Sequence, residues 1–148
     1  MNDVFFSPGD DCLQQIQHQI QQARQNIAIC VFTISDDRIA REIVSAHKRN
    51  ISIKIITDND KQYDLGSDIQ KFIKEKIPVK LDNTRYHMHH KFAVFDREKV
   101  ITGSYNWTRS AAEYNEENII CSNDPAMVLP FLRQFDKMWN ELEFANNR

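Results

Sequence analysis

Stretches with helical periodicity alternate along the chain with short apolar runs of strand length. "DDCLQQIQHQIQQAR" sets Leu13, Ile16, Ile20 and Ala23 at helical spacing, with Asp10 or Asp11 as the cap. "NIAICVFT" is a β-branched run suited to a buried strand. "SDDRIAREIVSAHKRN" returns to helix, with Ile39, Ile43 and Val44 inward and Ser35 or Asp36 at the cap, and "ISIKIIT" is strand again. "SDIQKFIKEK" opens with Ser67 and Gln70 at capping-box spacing. "PVKL" follows as a brief strand, and "MHHKFAVF" and "KVITGS" form a strand pair joined by the polar turn "DREK". Thr108–Tyr114 reads as a short helix and "NIICS" as a last strand. In "DPAMVLPFLRQFDKMWNEL", Phe131, Phe135, Met138, Trp139 and Leu142 share one helix face that packs into the core; Pro130 is expected to kink or delay this helix. Alternating strands and helices imply an α/β sandwich around a mixed sheet. With no repeat or Pro/Gly linker, residues 1–148 read as one domain.

Composition narrows the classes. With 19 basic against 21 acidic residues, the global field does not favour nucleic acid, so any attraction to phosphate comes from a local patch. Cys12, Cys30 and Cys121 are odd in number and widely spaced, which reads as buried reduced thiols rather than a disulfide framework or zinc ribbon. No run approaches the ~18 apolar residues of a membrane span. The opening "MNDVFFSPGDD" has no basic region, long apolar run or cleavage site, so the expectation is a leaderless, cytoplasmic chain.

The chemistry gathers in "YHMHHKFAVFDREKVITGSYNWT", residues 86–108, which holds three of the five histidines and one of the three glycines. Strand alternation points His89 and Lys91 from one face, and Ser104 and Asn106 repeat that spacing after the neighbouring strand. Pairing of the two strands converges a nucleophile, a cation and two small hydrogen-bonding groups on one spot. Gly103 allows backbone or substrate to approach closely. The set suits a phosphate: Lys91 offsets its charge, and Ser104 and Asn106 donate to its oxygens. A neutral imidazole held by an acceptor can attack phosphorus to give a phosphohistidine, and Glu117 is the carboxylate at hand.

At these residues the chain resembles the phospholipase D superfamily. The superfamily pattern is His-x-Lys, four residues, Asp, six residues, Gly-Ser/Gly-x-Asn. It stands complete as His89, Lys91, Asp96, Gly103, Ser104 and Asn106, with Glu117-Asn118 matching a downstream Glu-Asn pair. The fit is to the single-motif branch, the small bacterial endonucleases and the mitochondrial phospholipase-D-like (Zucchini-type) proteins. The resemblance implies a phospholipase D-like α/β/α sandwich. It makes His89 the nucleophile, the His89 of a second copy the general acid, and Lys91, Ser104 and Asn106 the phosphate holders. Glu117 would orient His89, and Asp96 would support local structure. His18 and His47 are followed two places on by Ile20 and Arg49, so no second His-x-Lys exists and a C2 homodimer is implied.

The expected activity is therefore a metal-independent phosphodiesterase without cofactor, cutting DNA or RNA. The alternatives are a cardiolipin-type phospholipid phosphodiesterase, for which the membrane helix of the mitochondrial proteins is missing here, and a catalytically silent nucleic-acid-binding dimer. His87 with His89 offers two metal ligands, but no HExxH or second Cys/His cluster completes a site. Tyr105 and Trp107 are candidates either for base stacking or for the core. Arg85, Arg97, Lys99 and Arg109 are candidates for a basic rim, and Lys61 in "NDKQYD" for a phosphate contact.

Overall fold

The computed structural model describes residues 1–58 and 67–145; Lys61 lies outside the described residues. The elements run β1 (Asn2–Ser7), α1 (Asp11–Gln22), β2 (Asn26–Val31), α2 (Asp37–Lys48), β3 (Ser52–Asp58), α3 (Ile69–Lys74), β4 (Val79–Asp82), β5 (Lys91–Phe95), β6 (Lys99–Gly103), α4 (Arg109–Glu113), β7 (Glu117–Ser122), α5 (Pro125–Glu141) and β8 (Glu143–Phe144). The strands form one sheet in the order β1-β7-β6-β5-β2-β3-β4-β8. β2, β3 and β4 are parallel, and the other pairings are antiparallel, so the sheet is mixed.

Two apolar layers sandwich that sheet. Leu13, Ile16 and Ile20 of α1 and Ile39, Ile43 and Val44 of α2 are buried with Phe72 of α3 and Ala111 and Ala112 of α4 on one face. On the other face Val128, Leu132 and Phe135 of α5 pack on Cys30, Phe92, Val94 and Val100, and Phe131, Met138, Trp139 and Leu142 complete the stripe. Burying each large side chain contributes about 1.5–3 kcal/mol, so the helical spacing is sufficient reason for these helices to dock. The architecture is the expected α/β/α sandwich, and the three cysteines are free and buried.

Local departures have physical causes. β1 was not anticipated, because Val4 and Phe6 stay exposed on this edge strand and only its pairing with β7 defines it. Asp10 occupies the α1 cap without a side-chain bond, whereas Asp36 caps α2 through Arg38 N. The capping box at α3 does not form: Asp68 is the cap, and Ser67 Oγ accepts from Ile69 N. Pro130 neither delays nor ends α5, which starts at Pro125 under the Asp124 cap. Ala126 and Pro130 are both exposed, so solvent can serve the carbonyl whose helical donor the proline removes.

Asp96 is placed at the far end of β5 from the histidines. Its carboxylate accepts from the backbone N–H of Arg24, Gln25 and Asn26 at 2.8–3.2 Å, tying the start of β2 to the β5–β6 turn. Asp96 and Arg97 both adopt positive φ (54° and 57°), and Glu98 N donates to Phe95 O across them, as a tight hairpin turn requires. Asp96 therefore leaves the catalytic set and keeps the supporting role. Asp96→Ala should lower stability by about 1–3 kcal/mol in urea unfolding, with the specific activity of the folded fraction preserved. Lost activity at unchanged stability would overturn this placement.

Candidate active site

The site lies along one end of the sheet, where β2 and β3 finish, β5 begins, β6 finishes and β7 begins. β5 starts at Lys91, so His89 sits in the segment just before the strand rather than on it. The two side chains still meet: Lys91 Nζ lies 3.1 Å from His89 Nδ1 and donates to His89 O at 2.8 Å. An ammonium can only donate, so Nδ1 is the acceptor and the neutral ring carries its proton on Nε2.

The second half of the motif is stitched to the end of β2. Trp107 N donates to Thr33 O, and Ser35 N and Asp36 N donate to Trp107 O. That stitching delivers Asn106, whose Oδ1 accepts from Thr33 N at 3.2 Å and whose Nδ2 is thereby left as the donor. Ser104 Oγ accepts from Asn118 N at 3.1 Å, leaving its O–H to donate. Both groups are thus oriented as phosphate donors before any ligand arrives. Gly103 serves a different end from the one expected of a substrate-binding residue. A Cβ there would stand 2.0 Å from Asn118 O and 2.8 Å from Ile119 Cα, so it is the β7 backbone that needs the space.

Glu117 departs from its expected role within one chain. Its Oε2 accepts from Asn115 Nδ2 at 3.3 Å, and Lys91, not a carboxylate, faces His89 Nδ1. Its field bears on Lys91: desolvation lowers the lysine pKa, and Glu117 opposes that shift. His89 is pushed below 6.5 by desolvation first, then by the charges of Lys91 and His87, against the pull of Asp58. Within one chain this favours the neutral form of the imidazole, the form that can act as a nucleophile.

Phe32 and Asp58 join the site without having been singled out in the sequence. Phe32 lies between two imidazoles, 4.8 Å from the His89 ring centroid and 5.4 Å from that of His87. Asp58, fully buried at the end of β3, accepts from Met88 N at 2.7 Å and has His87 Nδ1 at 3.6 Å, which fixes the backbone just before His89. Their signal was position: each closes or directly follows an apolar parallel strand, where α/β sheets build their sites. A cavity of about 510 Å³ opens beside His89, lined by Asp82, His87, Met88, His90, Gln134 and Met138. A cavity of about 520 Å³ lies at the opposite end of the sheet around Asp96, Arg97 and Lys99 and holds none of the motif's His, Lys, Ser or Asn.

Other candidates are not brought here. Arg97 pairs with Asp136 at 3.2 Å and stands with Lys99 at the far end, and Arg109 pairs with Glu113. Arg85 alone of the four lies on the segment leading into His89. Tyr105 and Trp107, each 1% exposed, belong to the core. Among the described residues no group of three His, Cys, Asp or Glu is placed to hold a metal ion.

A mixed sheet between helical layers, with His89 and Lys91 at the same end of its inner strands as Ser104 and Asn106, defines a phospholipase D-like site. The chain belongs to the family described as "Cardiolipin synthase, PLD-like domain", which matches residues 16–139. It is 41% identical over 135 residues to a mitochondrial cardiolipin hydrolase of Chlamydomonas reinhardtii, covering 91% of this chain and 60% of that protein. Among solved structures it is similar to Nuc, a phospholipase D family member from Salmonella typhimurium (TM-score 0.90, 26% identity, 99% and 98% of the two chains). NucT from Helicobacter pylori is also similar (TM-score 0.88, 28% identity, 98% and 99%). The expected cytoplasmic setting is overturned by these relatives, several of which are named as mitochondrial proteins. The chain spans about 60% of the Chlamydomonas protein, so its opening residues were no guide to location.

The His89–Lys91 contact generates a titration test. In NMR titration of the imidazoles His89 should show a pKa below 6.5, and Lys91→Gln should move it upward by removing the adjacent positive charge. A downward or absent shift would mean that Lys91 does not set the protonation of the nucleophile.

Proposed function

We propose that the chain is a metal-independent phosphodiesterase that cuts nucleic acid through a covalent phosphohistidine on His89. The observation that carries this reading is the contact of His89 Nδ1 with Lys91 Nζ at 3.1 Å, beside a serine and an asparagine whose acceptors are already occupied. A phosphate arriving between them draws Lys91 to its oxygens and releases the imidazole lone pair. His89 attacks phosphorus, forming the N–P bond as the P–O bond to the leaving strand breaks. Lys91, Ser104 and Asn106 meet the charge on the non-bridging oxygens. Water then attacks phosphorus, and the N–P bond breaks to regenerate the imidazole.

The leaving oxygen needs a proton from the side opposite the nucleophile. One chain has a single His-x-Lys, and His18 and His47 sit on α1 and α2. We therefore assign the acid to the His89 of a second copy related by a C2 axis through the cleft. That imidazolium protonates the leaving oxygen and then takes the proton of the attacking water. Lys91 supplies the charge neutralisation for which other nucleases use Mg²⁺. The similarity in fold to Nuc and NucT, at 26% and 28% identity, supports this reading.

Labelled DNA, RNA and cardiolipin vesicles incubated in EDTA test the substrate class. Nucleic acid should be cleaved at an undiminished rate; cleavage of lipid alone, or rescue of a chelated enzyme by Mg²⁺ or Zn²⁺, would overturn the reading. Mixing wild type with His89→Ala under conditions of subunit exchange tests the composite site. Activity at constant total protein should fall as the square of the wild-type fraction, and a straight line would exclude one shared site per dimer.

A further inference from the structure

Of the aromatic residues near the motif, Tyr105 and Trp107 take the core alternative, and two other tyrosines are exposed on segments that lead toward the site. Tyr86 is 65% exposed and Tyr114 76% exposed. Tyr86 lies three residues before His89, and Tyr114 three residues before Glu117. The segment of Tyr86 enters the site from β4 toward β5, and that of Tyr114 enters β7, with Ser104 at the end of β6 between them. Strands lie about 4.8 Å apart, so the ends of β5 and β7 are separated by about 10 Å with Ser104 between them, and Tyr86 stands further out, in the turn bonded to Asp82 at the end of β4. We propose that Tyr86 and Tyr114 are nucleobase platforms on either side of the phosphate site, a proposal that rests on the nuclease reading.

Tyr86 is held for such a task. Its backbone N–H donates to Thr84 Oγ1, whose own N–H donates to Asp82 Oδ1. The Arg85 guanidinium lies over the ring with Cζ 4.9 Å from the centroid, and Nη2 donates to the phenol oxygen at 2.6 Å. A ring fixed in this way loses little conformational freedom when a base lands on it. Tyr114 ends α4, with its N–H and that of Asn115 both bonded to Ser110 O. Its neighbours Glu113 and Glu116 repel a phosphate, so the position favours the uncharged face of a base over the backbone of the same polymer. A membrane would require a contiguous apolar surface. Here the strand order sets the ends of β5 and β6, with Lys91 and Ser104, between the segments that carry the two rings, which matches a polymer that alternates bases with phosphates.

The test compares single-stranded oligonucleotides that are intact with ones carrying abasic residues on both sides of the cleavage site, in wild type, Tyr86→Ala, Tyr114→Ala and the two Tyr→Phe variants. Wild type should prefer the intact strand. Each alanine variant should raise KM for it by about fivefold or more, the scale of one base–aromatic stack, with little change in kcat and no change on the abasic strand. The phenylalanine variants keep the ring and should retain wild-type KM. Equal KM in all variants on intact strands cleaved by wild type would overturn the platforms while leaving the nuclease reading standing. Failure of wild type to cleave any nucleic acid would instead remove the reading beneath them. Loss of binding to cardiolipin vesicles in the alanine variants, with oligonucleotide KM unchanged, would assign the rings to a membrane. A monomer by light scattering where wild type is dimeric would assign them to the subunit interface. Either result would overturn the proposal.

Discussion

The pairing register of β5 and β6 is the constraint on which the site depends. Phe92 opposite Thr102 and Ala93 opposite Ile101 put Lys91 and Ser104 at the same end of neighbouring strands. Side chains alternate faces, so a slip of one residue would turn Phe92 and Val94 out of the α5 layer and Ala93 out of the opposite one. The register is pinned from both ends. The tight turn at Asp96 and Arg97, anchored on three amides of the chain entering β2, fixes one end. Gly103, pressed on the β7 backbone, fixes the other. Two motif positions thus build the hairpin so that the other four can do chemistry at its open end.

The electrostatics of that end follow from packing rather than from net charge, which is −2 for the whole chain. Lys91 is half-buried against His89 and Phe32, and its charge adds to the desolvation that lowers the His89 pKa. Glu117 opposes the loss of that charge from across the strand ends. Asp58 holds Met88 by its amide, so the backbone preceding the nucleophile is set by a buried carboxylate. The resting site therefore has a neutral nucleophile beside a retained cation, which is the pairing an anionic phosphodiester requires.

Periodicity made most of the fold legible, since α1, α2 and α5 bury the positions their spacing selects. β1 was hidden because an edge strand with Val4 and Phe6 exposed has no buried alternation to read. The motif residues were legible as types, but their division of labour was not. Asp96, Gly103 and Glu117 owe their roles to backbone amides, a carbonyl and a lysine far away in sequence. Phe32 and Asp58 carry no motif and enter only because parallel strands end where the hairpin opens. Between rim and core, the sequence left Tyr105 and Trp107 open. Tyr105 and Trp107 stand beside Asn106 in sequence, yet the stitching of Trp107 to Thr33 that positions Asn106 also draws them into the core.

That stitching separates what relatives can share from what they can vary. The groups proposed to hold phosphate, Ser104 and Asn106, are oriented by the backbone N–H groups of Asn118 and Thr33 at the strand ends, an arrangement that suits any phosphodiester, in a lipid or in a polymer. Discrimination has to come from groups that reach past the phosphate to whatever it links. The groups proposed for that task, Tyr86 and Tyr114, stand exposed on the segments before His89 and before Glu117. A family with one phosphate site can therefore contain proteins named for cardiolipin and proteins named as Nuc, and its members should diverge in function at the rim before they diverge at His89.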